Sequence, residues 1–159
     1  MRRFTAFSFF LLIAAQMLAT AGSRAQKEKV ASKVPFKAQS FELGDVKLLD
    51  GPFRAAMLRD QKYLLSLDND RMLHNFRVNA GLPSSAKPLG GWEAPDVELR
   101  GHATGHLLTA LALMYASTGD ARFKAKGDVL VAELAKVQQA LPSRGFNAGY
   151  LSAFPEELF

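Results

Sequence analysis

HATGHLLTALALMYAS, residues His102–Ser117, is followed by the break Gly119-Asp120 and then by ARFKAKGDVLVAELAKVQQAL, Ala121–Leu141; this stretch decides the fold. In the first segment Leu107, Leu108, Ala110, Leu111, Ala112, Leu113, Met114 and Tyr115 leave no polar face, the pattern of a helix enclosed by others. The second carries a single stripe, Phe123, Leu130, Leu134, Val137 and Leu141. Lys124, Lys126, Asp128, Glu133, Lys136 and Gln138 lie on its other face, so it reads as an outer helix. An inner helix paired with an outer one is the arrangement of a double-layered helical ring, and also of a bundle or a solenoid of helix pairs.

Working toward the N-terminus, Pro83 to Val97 is rich in Pro, Gly and Ser without a period. It reads as a long surface loop, a length that in compact domains is often functional. Before it, Asp68 and Asn69 are N-cap types opening a helix through Met72, Leu73, Phe76 and Arg77, and Gly81-Leu82-Pro83 closes it. Phe53, Ala56, Met57, Asp60, Tyr63, Leu64 and Leu67 recur at helical steps. Phe41 to Leu48 alternates apolar and polar residues, which predicts a short strand ending at the turn Asp50-Gly51-Pro52.

The candidate site lies where the loop meets the apolar helix. Gly90-Gly91-Trp92-Glu93 and Arg100-Gly101-His102-Ala103-Thr104-Gly105-His106 bring the only tryptophan, an acid, an arginine and two of the three histidines to one helix mouth. A sugar site fits this mixture: Trp92 as a stacking platform, Glu93, His102 and His106 as hydroxyl partners, and Arg100 nearby to orient them. The competing readings are a tryptophan plugged into a core and histidines held in structural hydrogen bonds. Glu98, His102 and His106 follow at i, i+4, i+8, so a helix beginning by Glu98 would align them as metal ligands. Yet the metalloprotease pattern needs Glu directly after the first His, and Ala103 stands there. No catalytic residue and no metal ligand is assigned. His74, between Leu73 and Phe76, reads as structural, and Glu156-Glu157 as a solvated end.

Composition narrows the class. Arg2 and Arg3, the apolar run from Phe7 to Leu18 and the small-x-small site Ala19-Thr20-Ala21 form a signal peptide within residues 1–25, with Ser23-Arg24-Ala25 a second cut. The apolar run is short of the roughly 20 residues a span needs, so no stable membrane anchor is expected, and the product is placed in a periplasm or outside the cell. Residues 26–40, lysine-rich and without an apolar period, read as a flexible linker to a domain over 41–159. The formal charge of +5 falls to +3 once cleavage after Ala21 removes Arg2 and Arg3 and no acid. Scattered basic residues without an aromatic-interleaved stripe exclude nucleic acid as a partner. The sequence has no cysteine, which excludes disulfides, a Cys-ligated zinc and a cysteine nucleophile.

Several segments in one order resemble the N-terminal part of the β-L-arabinofuranosidase-like proteins of glycoside hydrolase family 127. They are Phe41–Phe53, Tyr63-Leu64-Leu65, Asp68–Leu73, Ala80-Gly81-Leu82, Gly90–Glu93, Arg100-Gly101-His102 with Gly105-His106, and Gly149–Phe154. The resemblance implies a mainly α chain, the N-terminal fragment of an (α/α)6 barrel preceded by a short strand. It also implies an exported hydrolase of terminal arabinofuranosides or related linkages, with an oligosaccharide or plant polysaccharide as partner. In that family a zinc-held cysteine is the nucleophile and a glutamate the general acid/base. Both groups lie C-terminal of the matched region, so no cofactor is assigned to this chain and zinc belongs to full-length relatives. Only the substrate-contact candidates Trp92, Glu93, His102 and His106 carry over.

The family continues into a further inner helix where this chain ends at Phe159, so a truncated product is expected. The apolar helix would then keep an exposed patch. Residues 26–159 alone are accordingly expected to aggregate or stay partly unfolded and to hydrolyse nothing. Two alternatives stand beside this reading. One is another helical-barrel activity such as an unsaturated-uronide hydrolase or lyase; the other is a non-catalytic exported module binding glycan or protein through the Trp92 loop.

Overall fold

A computed structural model describes Val34, Lys37, Ala38 and residues 40–158. The expected signal peptide and most of the expected linker lie outside the described residues. The chain divides into two units after Gln39, and every element below belongs to the second. Among the described residues no helix is long and apolar enough to cross a membrane.

Four α-helices carry the fold: α1 Pro52–Ser66, α2 Asn69–Asn79, α3 His102–Thr118 and α4 Ala121–Ala140. Short 3-10 turns occupy Leu43–Asp45, Gly91–Glu93, Leu141–Arg144 and Glu156–Leu158. The strand expected over Phe41–Leu48 is not formed. Leu43–Asp45 winds into a 3-10 turn between extended Glu42 and Val46, and among the described residues no strand supplies a ladder for it. Alternation alone does not make a strand, because its backbone groups need a partner. This segment is fastened to α3 instead, Lys47 Nζ donating to the Ser117 carbonyl at 3.3 Å.

Local chemistry explains the helix ends. Asp68 Oδ1 accepts from the N–H groups of Asp70 and Arg71 at 2.7 and 3.3 Å, opening α2 as its residue type predicts. At the other end Leu82 N–H reaches the Arg77 carbonyl and Gly81 N–H the Val78 carbonyl. That Schellman pair requires the left-handed φ of +71° at Gly81. Asp120 caps α4 through Arg122 N–H at 3.0 Å, and the two-residue break before it folds α3 and α4 into a helical hairpin.

The core is the stripe predicted for α4 packed on α2 and α3. Phe123, Leu130, Val137 and Leu141 are fully buried, with Leu134 close behind, against Met72, Leu73, Phe76, Leu107 and Leu111. Each such side chain contributes about 1.5–3 kcal/mol on leaving water. Thr104, also buried, donates to the Met72 carbonyl at 2.9 Å and joins α3 to α2. Enclosure of α3 is one-sided. Thr104, Leu107 and Leu111 are covered, whereas Leu113 is 51% exposed and Ala112, Tyr115 and Ala116 are open among the described residues. α1 has no fully buried residue, and Phe53 and Tyr63 are exposed. The apolar all-round pattern therefore has one face filled and one unfilled.

An ion network crosses from α2 to α4. Arg77 donates to Asp70 and to Glu133, each at 2.8 Å, and Lys136 adds a second cation on Glu133. The hydrogen bonds from Lys136 and then Arg77 hold the Glu133 carboxyl below its ordinary range. A carboxyl with a depressed folded-state pKa stabilises the fold above the unfolded pKa and loses that contribution as pH falls through the folded one. Helical signal is accordingly expected to melt at lower temperature as pH drops below about 4. Glu133→Gln should flatten that dependence, which thermal melts followed by circular dichroism at stepped pH would measure.

Candidate functional site

The mouth of α3 is assembled from three separate segments. α2 contributes a row of polar side chains at i, i+3 and i+4 that tie down the long loop. Arg71 donates to the carbonyls of Lys87 and Pro88 at 3.0 and 3.3 Å, His74 Nδ1 pairs with Ser84 Oγ at 2.9 Å, and Asn75 Nδ2 donates to the Glu93 carbonyl at 2.8 Å. His74 is thus a structural histidine. Asn75 is buried mid-helix, where asparagine is a poor helix former; that misfit was the available sequence signal for a residue the motif reading passed over.

Glu93 performs the central task. Its Oε2 accepts from Gly101 N–H and its Oε1 from Ala103 N–H, both at 2.7 Å. These are the free donors of the first turn of α3, and Gly101, the N-cap, has no side chain to satisfy them. A carboxylate there also meets the positive end of the helix dipole. Glu93 is half-buried, with both carboxylate oxygens committed to backbone.

Gly101 itself is confined. Its φ is +93°, and an added Cβ would fall 2.7 Å from Ala153 Cβ and 2.9 Å from Phe76 Cζ. The segment that presses on it, Gly149–Phe154, is bound on three sides. Asn79 Nδ2 donates to the Ser152 and Phe154 carbonyls at 3.1 and 2.9 Å, Arg100 Nε to the Ala153 carbonyl at 2.9 Å, and Gln138 Nε2 to the Gly149 carbonyl at 2.8 Å. Arg100 Nη1 also reaches the Val97 carbonyl at 2.9 Å, so this arginine is largely spent on backbone.

Trp92 projects from the Gly91–Glu93 turn with 72% of its surface exposed, which removes the core-plug reading. His102 and His106 are exposed and meet: their Nε2 atoms are 2.9 Å apart and the rings stand edge to face at 82°. Glu98 does not share their face by helical spacing. α3 begins at His102, and residues 98–101 are turns stepping through Arg100 N–H to Val97 O and His102 N–H to Leu99 O. Among the described residues no three of His, Cys, Asp and Glu group as a metal set. Glu156 is not merely solvated, since its two oxygens accept from Asn147 N–H and Nδ2 at 2.8 Å. A cleft of about 330 Å³ opens between His102, Glu98, Leu99 and the Leu151–Phe154 segment. A second, of about 450 Å³, lies beyond Arg100 toward Asn75, Asn79 and Arg144. Of the four substrate-contact candidates Trp92, Glu93, His102 and His106, His102 alone lines either of these two.

Two substitutions test this construction. Gly101→Ala forces a side chain into left-handed backbone and into Phe76 and Ala153, and should cost about 2 kcal/mol or more in a denaturant melt. Glu93→Gln keeps the size but loses the charge at the helix end. It should cost about 1–2 kcal/mol and speed amide exchange at Gly101 and Ala103, with exchange at α4 amides little changed.

A comparison with curated proteins finds no match. The family profile described as β-L-arabinofuranosidase, GH127 catalytic domain, matches residues 45–159. That span includes the cap, the tryptophan, both histidines and the tethered 149–154 segment, and the chain belongs to this glycoside hydrolase family.

Proposed function

We propose that this chain is part of an exported glycoside hydrolase whose substrate is a terminal arabinofuranoside or a related plant-glycan linkage, held at the mouth of α3. The carrying observation is Trp92: an aromatic face 72% exposed on a turn that Asn75 ties to α2 and Glu93 ties to the first turn of α3, the helix that carries two exposed imidazoles. A sugar ring presents an apolar face to an aromatic plane and hydroxyls at its rim, and imidazole nitrogens both donate and accept. Trp92, His102 and His106 contact the sugar in this reading. Glu93 acts at the same mouth, its carboxylate holding the helix end that presents them. The helical layers supporting the mouth correspond to the first inner and outer helices of an (α/α)6 barrel.

The zinc-held cysteine that the family resemblance implies does not fit the residues present, since the sequence holds no cysteine. Turnover is accordingly assigned to groups other than those of residues 41–159, which bind rather than cleave.

Trp92 is the only tryptophan, so its fluorescence reports the site directly. An arabinofuranose-terminated oligosaccharide should shift that emission saturably. Calorimetry should show Trp92→Ala weakening binding about two- to twelvefold, the worth of one aromatic contact of about 0.5–1.5 kcal/mol, with unchanged helical content. Equal affinity in the variant would remove the sugar-platform reading. Catalytic turnover by the cysteine-free chain would remove the assignment of cleavage elsewhere.

A further inference from the structure

Imidazoles four residues apart on a helix face the same way and lie one turn apart. At the start of α3 this spacing brings Nε2 of His102 and Nε2 of His106 to 2.9 Å, with ring centroids at 4.4 Å. A hydrogen bond between two such nitrogens requires unlike states: one ring carries a proton on Nε2 and the other offers a lone pair. A metal ion in place of that proton would use a lone pair from each ring. Imidazole ligands sit about 2.0–2.1 Å from a divalent ion, and two such bonds at a right angle separate the nitrogens by about 3 Å. The rings are therefore spaced as a chelating pair before any ion arrives.

The surroundings admit a cation. α3 contains no Lys, Arg, Asp or Glu. The positive end of its dipole, which by itself opposes a cation, is met by the Glu93 carboxylate bound to Gly101 and Ala103. Arg100, the nearest guanidinium in sequence, is turned to the Ala153 and Val97 carbonyls. Both rings are solvent-exposed, so neither an entry path nor room for bound water is lacking.

We infer that His102 and His106 chelate one divalent late transition-metal ion through their Nε2 atoms, with water completing its coordination. Two imidazole donors favour Cu²⁺ first and then Ni²⁺ and Zn²⁺, and give Mg²⁺ and Ca²⁺ nothing they prefer, because those ions take oxygen ligands. With no third protein ligand grouped there among the described residues, the site is open and reversible, unlike a four-ligand structural zinc. The inference stands independently of the carbohydrate reading. Where both hold, metal and sugar compete for the same two rings.

The test is copper titration of the purified protein at neutral pH, read by electron paramagnetic resonance and by calorimetry. The expected result is one Cu²⁺ with coupling to two imidazole nitrogens. Affinity should fall at least tenfold in His102→Ala and in His106→Ala, remain in His74→Ala, and be undisturbed by excess Mg²⁺. Circular dichroism of each variant separates loss of the site from loss of the helix, and His106→Gln offers a polar replacement of similar reach. A spectrum and affinity unchanged in the His102→Ala/His106→Ala double variant would overturn the proposal and place copper elsewhere on the chain. A one-nitrogen spectrum in the wild type would overturn it as well.

Discussion

The carboxylate of Glu93 on the first turn of α3 is the contact on which the rest of the mouth depends. α3 needs an N-terminal cap, and the residue at that position is glycine because Phe76 and Ala153 leave no space for a side chain. The missing cap is replaced from eight residues upstream. That replacement fixes the distance between the tryptophan turn and the helix, since Glu93 immediately follows Trp92. A charge-assisted bond of this kind contributes about 1.5–3 kcal/mol, one of several tethers, with those of Arg71 and His74, on a loop rich in Gly, Pro and Ser. Asn75 holding the Glu93 carbonyl at 2.8 Å then binds the same turn to α2.

Periodicity made the helices legible because it is dictated by local geometry and by water. The α4 stripe, the Asp68 cap, the break at Gly119-Asp120 and the stop at Gly81 follow from residue types alone, and the structure has them where the pattern puts them. The strand at Phe41–Leu48 failed for the complementary reason. Its stability resides in a partner, and alternation records which side chains face which way without supplying one. α3 is an intermediate case. Its apolar character is real on both faces, yet only the Thr104, Leu107 and Leu111 side is filled among the described residues. Sequence registers a helix's solubility in a core; it does not register which neighbours are at hand.

Roles around the mouth were less legible than placement. Glu93 does reach the helix end that carries His102 and His106, but Glu93 and Arg100, expected to orient hydroxyls, direct their polar atoms at backbone. Spacing along the chain cannot separate these roles, because a carboxylate that caps a helix and one that binds a sugar are the same residue type at the same place. Glu98 illustrates a different limit. Its i, i+4 relation to His102 has meaning only inside a helix, and the helix starts four residues later.

A division of labour follows from where the hydrogen bonds go. Asn75, Asn79, Glu93 and Arg100 would each be plausible ligand contacts by chemistry, and each spends its side chain on a carbonyl or an N–H of a neighbouring segment. In the proposed reading recognition falls to groups whose polar or aromatic surface is turned outward, Trp92 and the two histidines. Each exposed group sits within a residue or two of a backbone that buried or half-buried side chains hold by hydrogen bonds. Preorganisation of that kind lowers the entropy a ligand must remove on binding. A three-segment mouth held from beneath therefore has a physical rationale that a ring of freely rotating polar side chains would lack.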